Sequence, residues 1–236
     1  MTLQDFSNNF TVLLDSYGES PSFGKVSSER RIVLNEYEKS VFLTMAQNEI
    51  VADLYSGKNV FDDSFESSEE LRRYLDPLVL TTACEKDMLE REHISTISTF
   101  YSLPSNLAYI VYEQATISGA NGCCSQSSIV DVVPVSHDEF ERLKRNPFRN
   151  ANDRRVLRLD AGEGCVEIVS EYEILEYKIR YIMIPPPIIL EDLVGTGVSV
   201  NGSVFETECI LNPVLHDIIL KRAVQLAINT KVMKTN

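Results

Sequence analysis

The chain has 236 residues, 44% hydrophobic and 24% charged, with 22 basic against 35 acidic side chains and a net charge of −13. That length buries one large core or two small ones, and the composition excludes a disordered or a membrane-embedded chain. No apolar run approaches the roughly 18 residues of a transmembrane helix, and the shortage of lysine and arginine argues against wrapping a phosphate backbone. An acidic wall does suit a surface that DNA slides past without sticking. The opening MTLQDFSNNF has no basic segment followed by an apolar one, so the expectation is that the protein stays in the cytosol where it is made.

The first element expected is a short amphipathic helix from Leu3 to Tyr17, with Leu3, Phe6, Phe10 and Leu13 on one side and a stop at Gly18. The polar loop GESPSFGKVSSERR then leads to a helix-favouring stretch, Leu34 to Tyr55, that contains neither glycine nor proline. This stretch is apolar on two opposite sides. Leu34, Tyr37, Val41, Met45, Ala52 and Tyr55 form one stripe, and Leu43, Ile50 and Leu54 form the other. Glu38, Glu49 and Asp53 fill one wet flank; Glu36, Ser40, Thr44 and Gln47 fill the other. A helix on the outside of a monomer needs only one dry stripe. Two stripes mean a sandwich, either within its own fold, the ordinary case, or between that fold and a neighbouring chain. On the second reading Leu43, Ile50 and Leu54 are candidate interface residues.

After an acidic loop, GKNVFDDSFESS, Ser67 and Glu70 suggest a capping box for a short helix, EELRRYL, broken by Pro77. From Leu78 the period changes. LVLTTAC, STISTFYSL, AYIVYEQATI and IVDVVPV read as strands. Ser136 and Glu139 cap a second short helix, HDEFERLKRN, stopped by Pro147, and VLRLDAGEGCVEIV reads as a hairpin turning at Ala161 to Gly164. The clearest strand runs from Tyr172 to Ile184, where Leu175, Tyr177, Ile179, Tyr181 and Met183 alternate with Glu176, Lys178 and Arg180. Pro185-Pro186-Pro187 ends it, and Asn201-Gly202 marks a two-residue hairpin. Asn212 and Pro213 open a last helix to about Lys231, with Leu215, Ile218, Ile219, Ala223, Leu226 and Ala227 on its dry side. The expected class is α+β. N-terminal helices occupy residues 1–76, and a mainly antiparallel β block with a helix inserted at 136–146 spans 77–211. A closing helix at 212–236 packs back on the helical region, the whole forming one structural unit.

Chemistry is scarce. His93, His137 and His216 show no metal-ligand spacing, there is no C-x-x-C and no G-x-S-x-G elbow, and Gly195-Thr196-Gly197 lacks the third glycine of a dinucleotide site. The acidic run Asp62, Asp63, Glu66, Glu69 and Glu70 lacks the glycine-centred pattern of a calcium loop and reads as a helix entrance. Cys84, Cys123, Cys124, Cys165 and Cys209 are an odd set, read as free thiols. No catalytic, cofactor or metal residue is expected. Positive charge concentrates in one place, at Arg142, Lys144, Arg145, Arg149, Arg154 and Arg155. These six are either a solvated face or an anchor for an acidic neighbour.

Several segments in a shared order resemble a known family. LNEYEKSVFLTMAQNEIV, EELRRYLDPLV, YSLPSNLAYIVYE, PVSHDEFERLKRNPFR, VLRLDAG, YKIRYIMIPPPIIL and ETECILNPVLHDIILKRAVQLA follow the order found in ring-forming head-to-tail connector or adaptor proteins of short-tailed phages. Those phages include the crAss-like phages of gut Bacteroides. The resemblance implies a structural subunit of a homo-oligomeric ring, usually twelvefold, in the virion neck. Its partners would be the portal protein and neighbouring tail or ring proteins, with DNA passing through the channel and no membrane or cofactor involved. It offers no active-site residue to transfer. Two other classes fit the residues alone: a tail-hub or packaged virion protein, and a small hydrolase or metal-dependent enzyme built on His93, His137 or the cysteines.

Overall fold

The change of hydrophobic period at Leu78 is where the structure divides. A computed structural model of the chain describes residues 1–18, 33–58, 65, 68–88, 91–119, 127–146 and 148–233. Met1–Leu78 with Pro185–Asn236 forms one compact unit, and Val79–Ile184 forms the other. The described helices are α1 (Leu3–Gly18), α2 (Glu36–Ser56), α3 (Glu69–Leu75, followed by a 3-10 turn over Asp76–Leu78), α4 (His137–Leu143) and α5 (Pro213–Met233). The strands are β1 (Val79–Lys86), β2 (Ser98–Ser102), β3 (Leu107–Ile117), β4 (Ser128–Pro134), β5 (Arg155–Gly162), β6 (Cys165–Val169) and β7 (Ile174–Met183).

In the helical unit α2 packs on both α1 and α5. It begins at a capping box not anticipated from the sequence. The Asn35 side chain accepts from the Glu38 amide at 2.8 Å, and the Glu38 carboxylate accepts from the Asn35 amide at 3.2 Å. Gly57, at φ 79°, ends the helix in the left-handed conformation that glycine adopts without strain. The two dry stripes are both covered within this unit. Tyr37 and Val41 pack against Ile189, Leu193, Val200 and Val204, while Leu43, Ile50 and Leu54 are buried at 0%, 8% and 3% exposure. Met45, assigned to the first stripe, is exposed instead.

One flank expected to be wet is dry. Ser40, Thr44 and Gln47 are buried and grip the extended segment after the triple proline. Ser40 Oγ accepts from the Leu190 amide at 3.0 Å, and Thr44 Oγ1 accepts from the Ile188 amide at 3.1 Å. Gln47 Nε2 donates to the Pro186 carbonyl at 2.8 Å. Four helical residues rise about 6 Å, and two extended residues rise about 6.6 Å, so a helix stripe and alternate residues of a strand stay in step. Proline supplies no amide, and that segment's other polar groups would be stranded without these side chains. The span from Pro185 to Leu211, which sequence reasoning placed with the β block, therefore belongs to the helical unit.

α5 opens as expected, with Asn212 Oδ1 accepting from the Val214 amide at 3.1 Å. Its dry side is broader than expected, since His216, Leu220, Val224 and Ile228 are buried while Ile218 is exposed. Asn201 (φ 50°) and Gly202 (φ 83°) make the expected hairpin between Val200 and Ser203. The N-cap of α3 is Ser68, without a side-chain hydrogen bond. Ser67, Asp62, Asp63, Glu66, Cys123 and Cys124 lie outside the described residues, and Cys84, Cys165 and Cys209 are free thiols.

The β unit is the expected mainly antiparallel block, and it closes into a barrel. The strand order is β1-β2-β6-β5-β4-β3-β7, and β7 pairs back onto β1. Every pairing is antiparallel except β4 with β5, which is parallel because α4 carries the chain across between them. Tyr177, Ile179 and Tyr181 from β7 fill the interior with Tyr101, Ala115, Ile117, Val130, Val132, Val156, Val166 and Ile168. Leu175 departs from its expected side. The register moves from Thr116 opposite Glu176 to Ile117 opposite Ile174, so Ile174 takes the inner place and Leu175 is exposed.

Candidate subunit interface

Geometry, not sequence adjacency alone, gathers the basic residues. Because β4 and β5 are parallel, α4 must run back against both, so its end lies beside the start of β5 and its start beside the end of β5. Phe140, with Leu143 packed alongside, seats α4 on Leu157, Leu159 and Val169 of the outer barrel face. His137 Nε2 meets the Asp160 carbonyl at 3.1 Å and pins the other end. Arg142, Lys144 and Arg145 at the end of α4 therefore join Arg149, Arg154 and Arg155 before β5. All are exposed except Arg155, which is half-buried and donates to the Phe148 carbonyl at 3.2 Å. Lys144 Nζ lies 5.9 Å from the centroid of the Phe140 ring. None of the six is ion-paired among the described residues. Phe148 stands in the same loop, 83% exposed. Unpaired cations around an exposed aromatic ring are the composition of a protein-binding patch.

Leu43, Ile50 and Leu54 do not belong to such a patch. Their burial inside the helical unit leaves them no free surface to offer a second subunit, and the sandwich around α2 is internal. The sequence showed two stripes correctly, but two stripes alone cannot tell an internal neighbour from an external one.

Sequence reasoning missed Glu167, the one polar residue in the apolar strand β6. Its side chain is 1% exposed, and Oε1 accepts from the amides of Ile94 (3.0 Å) and Ser95 (3.3 Å) and from the Ser98 hydroxyl. It thereby staples the loop before β2 to the barrel. A charged residue inside CVEIV was the available signal. Inside the barrel, Glu113 faces Arg158 at 2.9 Å and accepts from the Tyr177 hydroxyl at 2.6 Å. Burial raises the Glu113 carboxyl, outweighing the lowering by the Tyr177 hydrogen bond and by Arg158. Burial likewise pushes the Cys84 thiol up to about 11 and the Tyr101 hydroxyl up to about 12. An activated nucleophile shows the opposite shift. His93 bonds the Ser98 hydroxyl at 2.9 Å, and His216 sits between the N-terminal amine (2.9 Å) and the Leu211 carbonyl (3.0 Å). Among the described residues no three or more His, Cys, Asp or Glu are grouped to hold a metal ion.

The whole chain, residues 1–236, matches the family model described as phage tail ring protein 3/4. It belongs to that family. Ring protein 3 of Bacteroides phage crAss001 is 43% identical over 236 residues, covering 100% of this chain and 98% of that protein. Ring protein 4/5 of the same phage is 30% identical over 242 residues, covering 96% of this chain and 92% of its own. The chain is thus a phage ring protein, a structural component of the virion tail, as the ordered segments implied. No described helix is long and apolar enough to cross a membrane.

Proposed function

We propose that copies of this chain close into a ring, twelvefold as in the adaptors it resembles, at the neck where portal and capsid join the tail, and that the genome passes through its channel unbound. The observation that carries this reading is the full-length match to a ring-protein family. Charge supports it. Many copies at −13 each form a negative collar that repels the phosphate backbone and keeps friction low. A closed cyclic ring also needs two different complementary surfaces on each subunit, and Arg142, Lys144, Arg145, Arg149, Arg154 and Arg155 present one of them in an otherwise acidic chain. The protein is made in the host cytoplasm and ends in the virion, acting by assembly and not by turnover.

Mass photometry and negative-stain imaging of the purified protein, alone and with its portal, test this. Rings, formed freely or on the portal, are expected. Monomers that ignore the portal contradict it.

A further inference from the structure

At the far end of α4 and β5 from the basic patch lies a cavity of about 330 Å3, lined by Glu92, Asp160 and Glu167 together with Arg91, Phe100 and His137. Its charge is net negative. Arg91 is already shared between Asp87 (2.9 Å) and Glu163 (3.2 Å), Asp160 faces Arg158 at 3.5 Å and Glu167 Oε1 lies 4.0 Å from His93 Nδ1, so among the described residues Glu92 is the lining carboxylate with no cation beside it. Glu167 Oε2 is buried with no hydrogen-bond partner, although Oε1 of the same carboxylate has three. A buried carboxylate oxygen without a donor is costly and rare. Phe100, buried with its ring centroid 4.8 Å from that of His93, forms the apolar wall of the cavity.

We propose that this cavity is the socket for a cationic side chain from the basic patch of an adjacent copy, so that the two ends of α4 and β5 are the two halves of one repeated contact. This rests on the ring reading above. The occupant follows from charge and from symmetry. Arg155 and Asp160 are separated by five residues of strand, about 16 Å, so the α4–β5 segment carries a basic end and an acidic end. Such a segment cannot join its own two ends. It can satisfy the next copy in a head-to-tail contact, the arrangement that a cyclic ring requires. The donors of a guanidinium match the unpartnered Glu167 oxygen at the base of the cavity and the Glu92 carboxylate beside it.

The test uses full-length protein made as an equal mixture of 14N- and 15N-labelled copies, assembled on the portal and treated with a zero-length carbodiimide. Mixed-isotope links from Lys144 to Glu92, Asp160 or Glu163 are expected. Glu167→Gln and, separately, the exposed pair Arg142→Glu/Arg145→Glu should each cut the assembled fraction about tenfold or more. The pair perturbs no buried group, so its effect cannot be assigned to misfolding. Adding Glu92→Arg and Asp160→Arg to that pair should restore assembly. Rings that form normally with Arg142→Glu/Arg145→Glu, or that yield no mixed-isotope link at these positions, overturn the socket and leave the ring reading standing. A wild-type chain that never assembles, with or without portal, overturns both.

Discussion

In the helical unit Ser40, Thr44 and Gln47 satisfy a buried segment through neutral hydrogen bonds, whereas the barrel buries Glu113 against Arg158 and holds a loop with Glu167. Neutral hydrogen bonds each contribute about 1 kcal/mol, and losing one strands a group of similar size. A buried ion pair is different: replacing it whole costs little, but breaking it leaves an uncompensated charge. The two units should therefore respond differently to single and to paired substitutions. The lesson is that the barrel is brittle at single charges, while the helical unit spreads its dependence over several small bonds.

The largest expected effect is in the barrel. Arg158→Met alone should destabilise it by about 3–5 kcal/mol in chemical denaturation, while Glu113→Leu/Arg158→Met/Tyr177→Phe should recover most of that loss. A single-variant loss below about 1 kcal/mol would erase the contrast. Next comes Thr44→Val, which strands the Ile188 amide and should cost about 1–3 kcal/mol, with faster hydrogen exchange at 186–190 as the readout.

Acidity gives the comparison opposite signs. Burial holds the His216 imidazole below its usual 6.5, so its contribution to the helical unit is present above that pH and lost as pH falls through its lowered value. Glu113 is raised above 4.5, so its contribution to the barrel is complete below that pH and lost as pH rises through its folded value. Hydrogen exchange followed separately in the two units, against His216→Gln and Glu113→Gln, reads both slopes; equal slopes in each pair would refute the assignment. The smallest effect is Asn35→Ala, about 1 kcal/mol from the lost cap of α2, measured as a shift in denaturation midpoint.

Local features were legible in the sequence because they rest on local physics. The periods of α1, α5 and β7, the Asn201-Gly202 turn and the Ser136 cap, whose hydroxyl accepts from the Glu139 amide at 3.3 Å, all follow from adjacent residues. Barrel closure was not legible, since β1 meets β7 across about a hundred residues and period alone does not name a partner. Ser40, Thr44 and Gln47 read as solvent-facing because a polar side chain looks the same whether water or a proline-rich strand satisfies it. The bulge beside Leu175 was invisible for a related reason: one skipped residue flips a face without changing composition. The basic patch was visible as charge, but its placement opposite a carboxylate cavity needed the parallel β4–β5 pair.

A symmetric electron-cryomicroscopy map of the virion tail tests the central claim most directly. The account predicts a closed ring of these chains in which Arg142, Lys144 and Arg145 of each copy meet Glu92, Asp160 and Glu167 of the next. Copies paired across a twofold axis, or single copies held only by other proteins, would contradict it.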